Sequence, residues 1–248
     1  MRRFIRYCLS ASAVAGTLAA QGPKSLLGVS FAPSKGSVSL SAPMQIIVLL
    51  TLLAVLPAVI MSVTPFLRIT VVLHFLRQAL STQGTPSNQV LIGLALFLTL
   101  VIMQPVVAEM YHKGWQPLEA GDATWQQAWN DGSQPLKTFL LRYVREKDVR
   151  LFLDISHTPA PRDPSGLALT VLMPAYVLSE LKTGFQIGAI LFLPFLIIDL
   201  VVASVTLSIG MVQLPPVMLS APFKILLFVL VDGWNLVIGS LMRSFYSA

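Results

Sequence analysis

Cysteine occurs once in the 248 residues, at Cys8. A single thiol excludes an internal disulfide, and no Cys/His zinc spacing accompanies it. Histidine is almost as scarce. His74, His112 and His157 lie far apart, without metal-site partners nearby. Charge is scarce too: 11% of residues carry it, against about 25% in soluble domains. Such a surface must face lipid or other apolar protein. There is no phosphate-binding glycine loop and no hydrolase elbow. Acids such as Glu146 and Asp148 fall on a solvated helix, where carboxylates lack the water-poor pocket that acid–base catalysis needs. An enzyme is not expected, and no cofactor or metal is implied. The net charge of +6 sits at the N-terminus and in short flanks. It forms no basic face interleaved with aromatics, so it reads as topology information and not as a nucleic-acid site.

What the chain has is apolar length, 55% hydrophobic. A membrane-spanning helix needs about 20 apolar residues. Four segments supply this: 44–63, 90–107, 184–212 and 222–242. The expected class is an all-α membrane protein with four long, broken or kinked helical segments and a helical extramembrane region. Residues 1–21 begin with Arg2, Arg3 and Arg6, continue with a moderately apolar stretch and end on Ala19 and Ala20. That is the layout of a signal peptide. Residues 22–43 are rich in Ser, Gly and Pro and read as a flexible linker; residues 44–248 form the membrane domain. Signal cleavage puts the mature N-terminus outside. The 64–89 connection, with Arg68 and Arg77 and no acid, is then cytoplasmic, and 108–183 lies outside.

Within 108–183, residues 133–155 show apolar positions at helical spacing. Ser133 is the expected cap, with Pro135 in the first turn. Arg142 and Glu146 stand one turn apart as an ion pair.

The charges inside the apolar segments are the most informative residues. Asp199 lies within the third, and Lys224 and Asp232 within the fourth. A hairpin turning between Pro215 and Pro216, a pair that cannot continue a regular helix, puts Asp199 and Asp232 at similar depth. It leaves Lys224 out of direct reach of Asp199. Like charges so placed must find cations, share protons or face different interfaces. Pairing between subunits answers this, with Glu180 and Lys182 joining the network; a proton relay in a small-solute transporter is the alternative. Gly184 and Gly188 form a G-x-x-x-G pair that suits close helix packing. Pro57, Pro105 and Pro194 are expected to break helices at a cavity or interface. The turn carries Met211, Val212, Gln213 and Met218, read either as an apolar loop at the interface or as a deformable constriction.

Four stretches together resemble the FliP family: TPFLRITVVLHFLRQAL, SNQVLIGLALFL, SELKTGFQIGAILFLPFLIIDLVVASV and LPPVMLSAPFKILLFVLVDGWNLVIGSL. The resemblance covers roughly residues 44–245, in the family's order. It implies a subunit of the flagellar type III export gate. The gate is a helical multi-subunit assembly of several copies with FliQ and FliR, beside FlhA and FlhB, in the inner membrane at the flagellar basal body. Unfolded rod, hook and filament proteins pass through it. The resemblance implies that the charges become interface residues, since the assembled gate stands largely above the membrane plane. It also implies a methionine-rich gasket at the turn, carried here by Met211, with Val212 and Gln213 where methionines are usual, and by Met218. Virulence-type secretion proteins share the pattern, and the signal and long N-terminal tail favour the flagellar branch.

Overall fold

The computed structural model describes residues 42–246, apart from 83, 162 and 211–214. The signal peptide and nearly all of the linker lie outside the described residues. Contacts divide the chain into two units, Met1–Thr51 and Leu52–Ala248. The boundary falls within the first helix, α1 (Ala42–Ser62). Side chains 43–51 of the first unit and 52–61 of the second are all exposed. Among the described residues every regular element is helical.

The 64–89 connection is not the expected loop. Phe66–Ala79 forms a helix, α2, whose Ile69, Val72, Leu73 and Leu76 are buried. Their i, i+3, i+4, i+7 spacing is that of one helix face. Arg68 lies on the same face and is only 4% exposed. Next comes α3 (Asn88–Met110), which continues through a π-helical turn, Tyr111–Trp115, into a short α4 (Gln116–Ala120). Gly121, at φ +80°, ends that run. A left-handed residue costs glycine least.

The chain returns as α5 (Trp125–Tyr143). The cap is not Ser133. Thr124 accepts from the Gln127 backbone at 3.4 Å, and the Gln127 side chain accepts from the Thr124 backbone at 3.0 Å. This capping box starts the helix well before the expected position, and Ser133 and Pro135 fall inside it. Gly114 of the π turn crosses Gly132 of α5 so closely that a Cβ on Gly114 would stand 2.8 Å from the Gly132 Cα. The helix then breaks at 144–145 before α6 (Glu146–Ile155). That break parts Arg142 from Glu146, which pairs one turn further on with Arg150 at 2.6 Å.

The longest element is α7 (Leu169–Ser208), 40 residues without a break. It starts 15 residues before the apolar run, and that added stretch buries Val171, Leu172, Ala175, Tyr176, Ser179 and Glu180 at helical spacing. Pro194 does not interrupt it, nor do Pro57 and Pro105 interrupt α1 and α3. In apolar surroundings a proline loses one hydrogen bond, whereas ending the helix would strand several polar groups. After a turn, Pro215 and Pro216 open α8 (Pro216–Leu230), with Pro216 at its first position, where a missing N–H costs nothing. The fourth segment is not one span. A 65° bend separates α8 from α9 (Gly233–Tyr246), with Asp232 at φ +49° in the break.

Three helices are long and apolar enough to cross a membrane, or four if the bent α8–α9 pair counts as one span. The main core joins α2, α3, α5, α7 and α9 through Ile69, Leu73, Ala95, Leu140, Leu172, Tyr176 and Leu241.

Candidate functional site

Two buried ion pairs are mounted on α7, and they organise the charged residues. The first is Arg68–Glu180. The guanidinium lies along both carboxylate oxygens, with Nε to Oε2 at 2.8 Å and Nη2 to Oε1 at 2.5 Å. Glu180 is fully buried and Arg68 nearly so. Arg68 also donates to Ser244 Oγ at 3.3 Å. Its guanidinium carbon lies 4.1 Å from the Phe245 ring centroid and 5.5 Å from that of Tyr143. Tyr143 in turn donates to the Phe245 carbonyl at 2.5 Å. Charge removed from water needs a partner, good geometry and satisfied donors. Bidentate contact, a hydroxyl and aromatic faces supply all three here.

Beside it, Ser179 relays between α6 and α7. Its hydroxyl donates to Asp148 at 2.6 Å and accepts from the Arg145 backbone at 3.0 Å. The α5–α6 break is thereby fixed to α7.

The second pair is Lys224–Asp199, 2.6 Å apart. Lys224 is fully buried; the Asp199 side chain remains 21% exposed. Lys224 also donates to Ser81 Oγ at 2.9 Å, and the Ser220 hydroxyl donates to Asp199. The register expected from a turn at Pro215/Pro216 kept Lys224 and Asp199 apart. The connection actually occupies 209–215. Asp199 is therefore nine residues before the end of α7 and Lys224 eight after the start of α8, at one level. The same shift separates Asp232 from Asp199.

Within the one chain, Glu180, Asp199 and Lys224 fall into two separate knots. Lys182 and Asp232 belong to neither. Both are exposed and have no partner among the described residues. Arg68, expected only as a loop charge, belongs to the first knot. Gly184 and Gly188 do pack closely, against α2 of the same chain. A Cβ on Gly188 would stand 2.6 Å from the Phe75 ring, and one on Gly184 3.2 Å from Val71. Met218 is exposed and lines a cleft with Arg77, Ser81 and Ala221. Met211, Val212 and Gln213 lie outside the described residues.

The chemistry of this arrangement is bracing. Glu180 and Asp199 stand 19 residues apart on one helix, about 28 Å along its axis. That is far beyond a direct proton hop. Each carboxylate already faces a cation held by another helix. A lone charge at mid-bilayer costs about 2.5–3.5 kcal/mol on insertion scales, and pairing within the chain offsets that cost. Among the described residues, no group of three His, Cys, Asp or Glu could hold a metal.

Long apolar helices, internally paired charges and a wide exposed apolar surface define a helical membrane protein. Comparison with known proteins makes the class specific. A model of the FliP family matches residues 49–241. The chain is 47% identical to the flagellar biosynthetic protein FliP of Bacillus subtilis, over 84% of this chain and 94% of that protein. It is 48% identical to that of Pectobacterium carotovorum, over 86% of this chain and 82% of the relative. With that of Cereibacter sphaeroides the identity is 45%, over 88% and 72%. The chain belongs to the FliP family.

Proposed function

We propose that this chain is a core subunit of the flagellar type III protein export gate. The observation that carries the reading is family membership across residues 49–241. The relatives are named for flagellar biosynthesis. Several copies assemble with FliQ and FliR into a channel beside FlhA and FlhB, in the inner membrane at the basal body. Unfolded rod, hook and filament proteins pass through it. No catalytic step is assigned to the chain. Residues 1–21 direct it to the membrane, 22–43 serve as a linker, and 44–248 form the gate body with 108–183 outside the bilayer.

The surface supports this role. Beyond Gly188, α7 exposes Ile190, Leu193, Ile197, Leu200 and Val201, and α8 exposes Phe223, Leu226 and Leu230. Apolar area on this scale meets lipid or another protein. The α7–α8 connection around Met211, Val212 and Gln213, with Met218 beyond it, acts as the deformable seal of the closed channel.

Deletion of the gene is the test. Hook and filament proteins should vanish from the culture medium, with loss of swimming. Normal secretion from the deletion strain would sink the reading. Glycine at Met211, Val212 and Gln213 should let small molecules leak through the membrane, whereas unchanged permeability would point to a scaffold without a pore.

A further inference from the structure

One end of the molecule carries a cation without an acid. The turn after α2 meets the start of α8 there, where Lys224 donates to Ser81 Oγ at 2.9 Å. Between them opens a cleft of about 640 Å³. Arg77, Gln78 and Ser81 form its polar wall, and Val217, Met218 and Ala221 its apolar wall. No Asp or Glu occurs in residues 64–108 or 200–231. The ion pairs among the described residues involve Arg68, Lys113, Arg150 and Lys224, and Arg77 is in none of them. Its Nη1 donates to the Pro86 carbonyl at 3.5 Å and its Nη2 to His74 Nδ1 at 3.3 Å. Neither acceptor carries a negative charge. The remaining N–H donors of the guanidinium have no partner among the described residues. Arg77 is half-buried, and a guanidinium so placed is best satisfied by an anion with paired oxygens.

The height of the cleft narrows the choice of anion. α3 begins just beyond the turn and α7 ends just before α8, and both lead from this end to the 108–183 region. α3 has 23 residues, about 34 Å, enough to cross the roughly 30 Å hydrocarbon layer. With 108–183 outside the bilayer, the cleft lies at the cytoplasmic face, where the leaflet is anionic. The apolar wall continues beyond the cleft. One turn past Ala221, Ile225 is exposed, and one turn further so is Val229. An apolar track therefore leads from the cation along α8 into the membrane. That is the pattern of an amphiphile with an anionic head, whereas a soluble peptide needs polar partners along its length.

We propose that this cleft binds the phosphodiester headgroup of an anionic phospholipid. Arg77 holds the phosphate oxygens through N–H groups that nothing else uses. Ser81, whose oxygen already accepts from Lys224, has its O–H left to donate. One acyl chain follows Ala221, Ile225 and Val229. The proposal rests on the gate reading for its orientation, with 108–183 outside the bilayer.

The test uses the full chain with its natural partners, purified as an assembly into phosphatidylcholine nanodiscs. A minor fraction of the lipid is phosphatidylglycerol with a photoreactive group near the top of one acyl chain. After illumination, labels are expected within 217–229, above the general labelling of the lipid-facing surface of α3 around Phe97. Arg77→Gln should lower the labelling of 217–229 about tenfold. Arg77→Lys, which keeps the charge, should restore it to within about threefold. No label in 217–229, or a label unchanged in Arg77→Gln, overturns the proposal. Equal labelling by photoreactive phosphatidylcholine, or displacement by inorganic phosphate, overturns it too, the latter assigning the cleft to free phosphate. If Arg77→Gln lowers labelling around Phe97 as well, the fold is lost and Ala221→Phe decides. That variant fills the apolar wall and leaves Arg77 in place, so labelling should again fall about tenfold, and unchanged labelling overturns the proposal. Export is assayed in the same strains. Normal export with an unlabelled cleft removes the lipid site and leaves the gate reading intact. Normal export from the deletion strain removes the gate reading whatever the labels show.

Discussion

The two halves of α7 differ sharply in how they are held. From Val171 to Gly188 one face of the helix is covered by its own chain. Leu172, Ala175, Tyr176, Ser179 and Glu180 are buried, α2 lies against Gly184 and Gly188, and a bidentate ion pair joins the two helices. From Ala189 to Ser208 only Phe195 and Thr206 are buried, and one single-contact ion pair ties the helix to α8. Composition accounts for part of the contrast: Ser179, Glu180, Lys182, Thr183 and Gln186 fall in the first half, and Asp199 is the one charged residue of the second. The first half has small residues and a stripe to which α2 is fitted. The second has bulky apolar side chains on nearly every face. A helix that is apolar all round is read as buried in a membrane or a large assembly. The first half is thus built to fold, and the second to be covered by something outside the chain.

The sharpest way to break this contrast is at Arg68. Arg68→Ala leaves Glu180 buried and unpaired, and should cost about 3–5 kcal/mol. It is read as loss of protease-resistant chain from native membranes. Arg68→Met with Glu180→Met should recover most of that loss, because no charge is then stranded. Next comes Asp199→Ala. Part of the Asp199 side chain is solvated, so stranding Lys224 should cost less, about 2–3 kcal/mol. Assembly should fall more than the pH response of export changes, and normal recovery of the assembly would contradict a bracing role. Gly188→Ala should follow at about 1–3 kcal/mol. Its Cβ would collide with Phe75, and Phe75→Leu should relieve part of the cost. Gly184→Ala should be milder. The smallest effect is expected in the open half. Leu200→Ala, at a residue 69% exposed, should change the fold of the chain by less than about 0.5 kcal/mol while lowering recovery of the assembly. A large loss of protease-resistant chain would erase the distinction between the halves.

Hydropathy made α1, α3 and the apolar half of α7 readable, because uninterrupted apolar length has few other meanings. It hid α2. That helix has only 14 residues and two arginines, too short and too charged for a span. Its signal was nevertheless present. Arg68, Val72 and Leu76 fall four residues apart on the buried stripe, which marks Arg68 as an inward charge needing an acid. The ion pair between Lys224 and Asp199 is hidden for another reason. Register depends on the length of the turn, and two prolines show where a helix can start without showing where the preceding one stops. The bend at Asp232 did have a signal, the Asp232-Gly233 pair, a turn dipeptide that hydropathy alone overlooks. Prolines inside α1, α3 and α7 suggested breaks that an apolar environment does not permit.

The Phe245 ring over Arg68 has a consequence for the timing of synthesis. Arg68 receives its carboxylate from a residue 112 positions later and its nearer aromatic face from one 177 positions later. While the chain grows, α2 therefore carries a charge whose shelter does not yet exist. Its buried state is reached only after Phe245 has left the ribosome. Until then α2 must wait in water, at the membrane surface or against another protein. The core is closed by the last helix described and not by the first, so a nascent chain stopped before α9 should hold Arg68 open to solvent. Cooperative closure late in synthesis is the expected behaviour of contacts this distant in sequence.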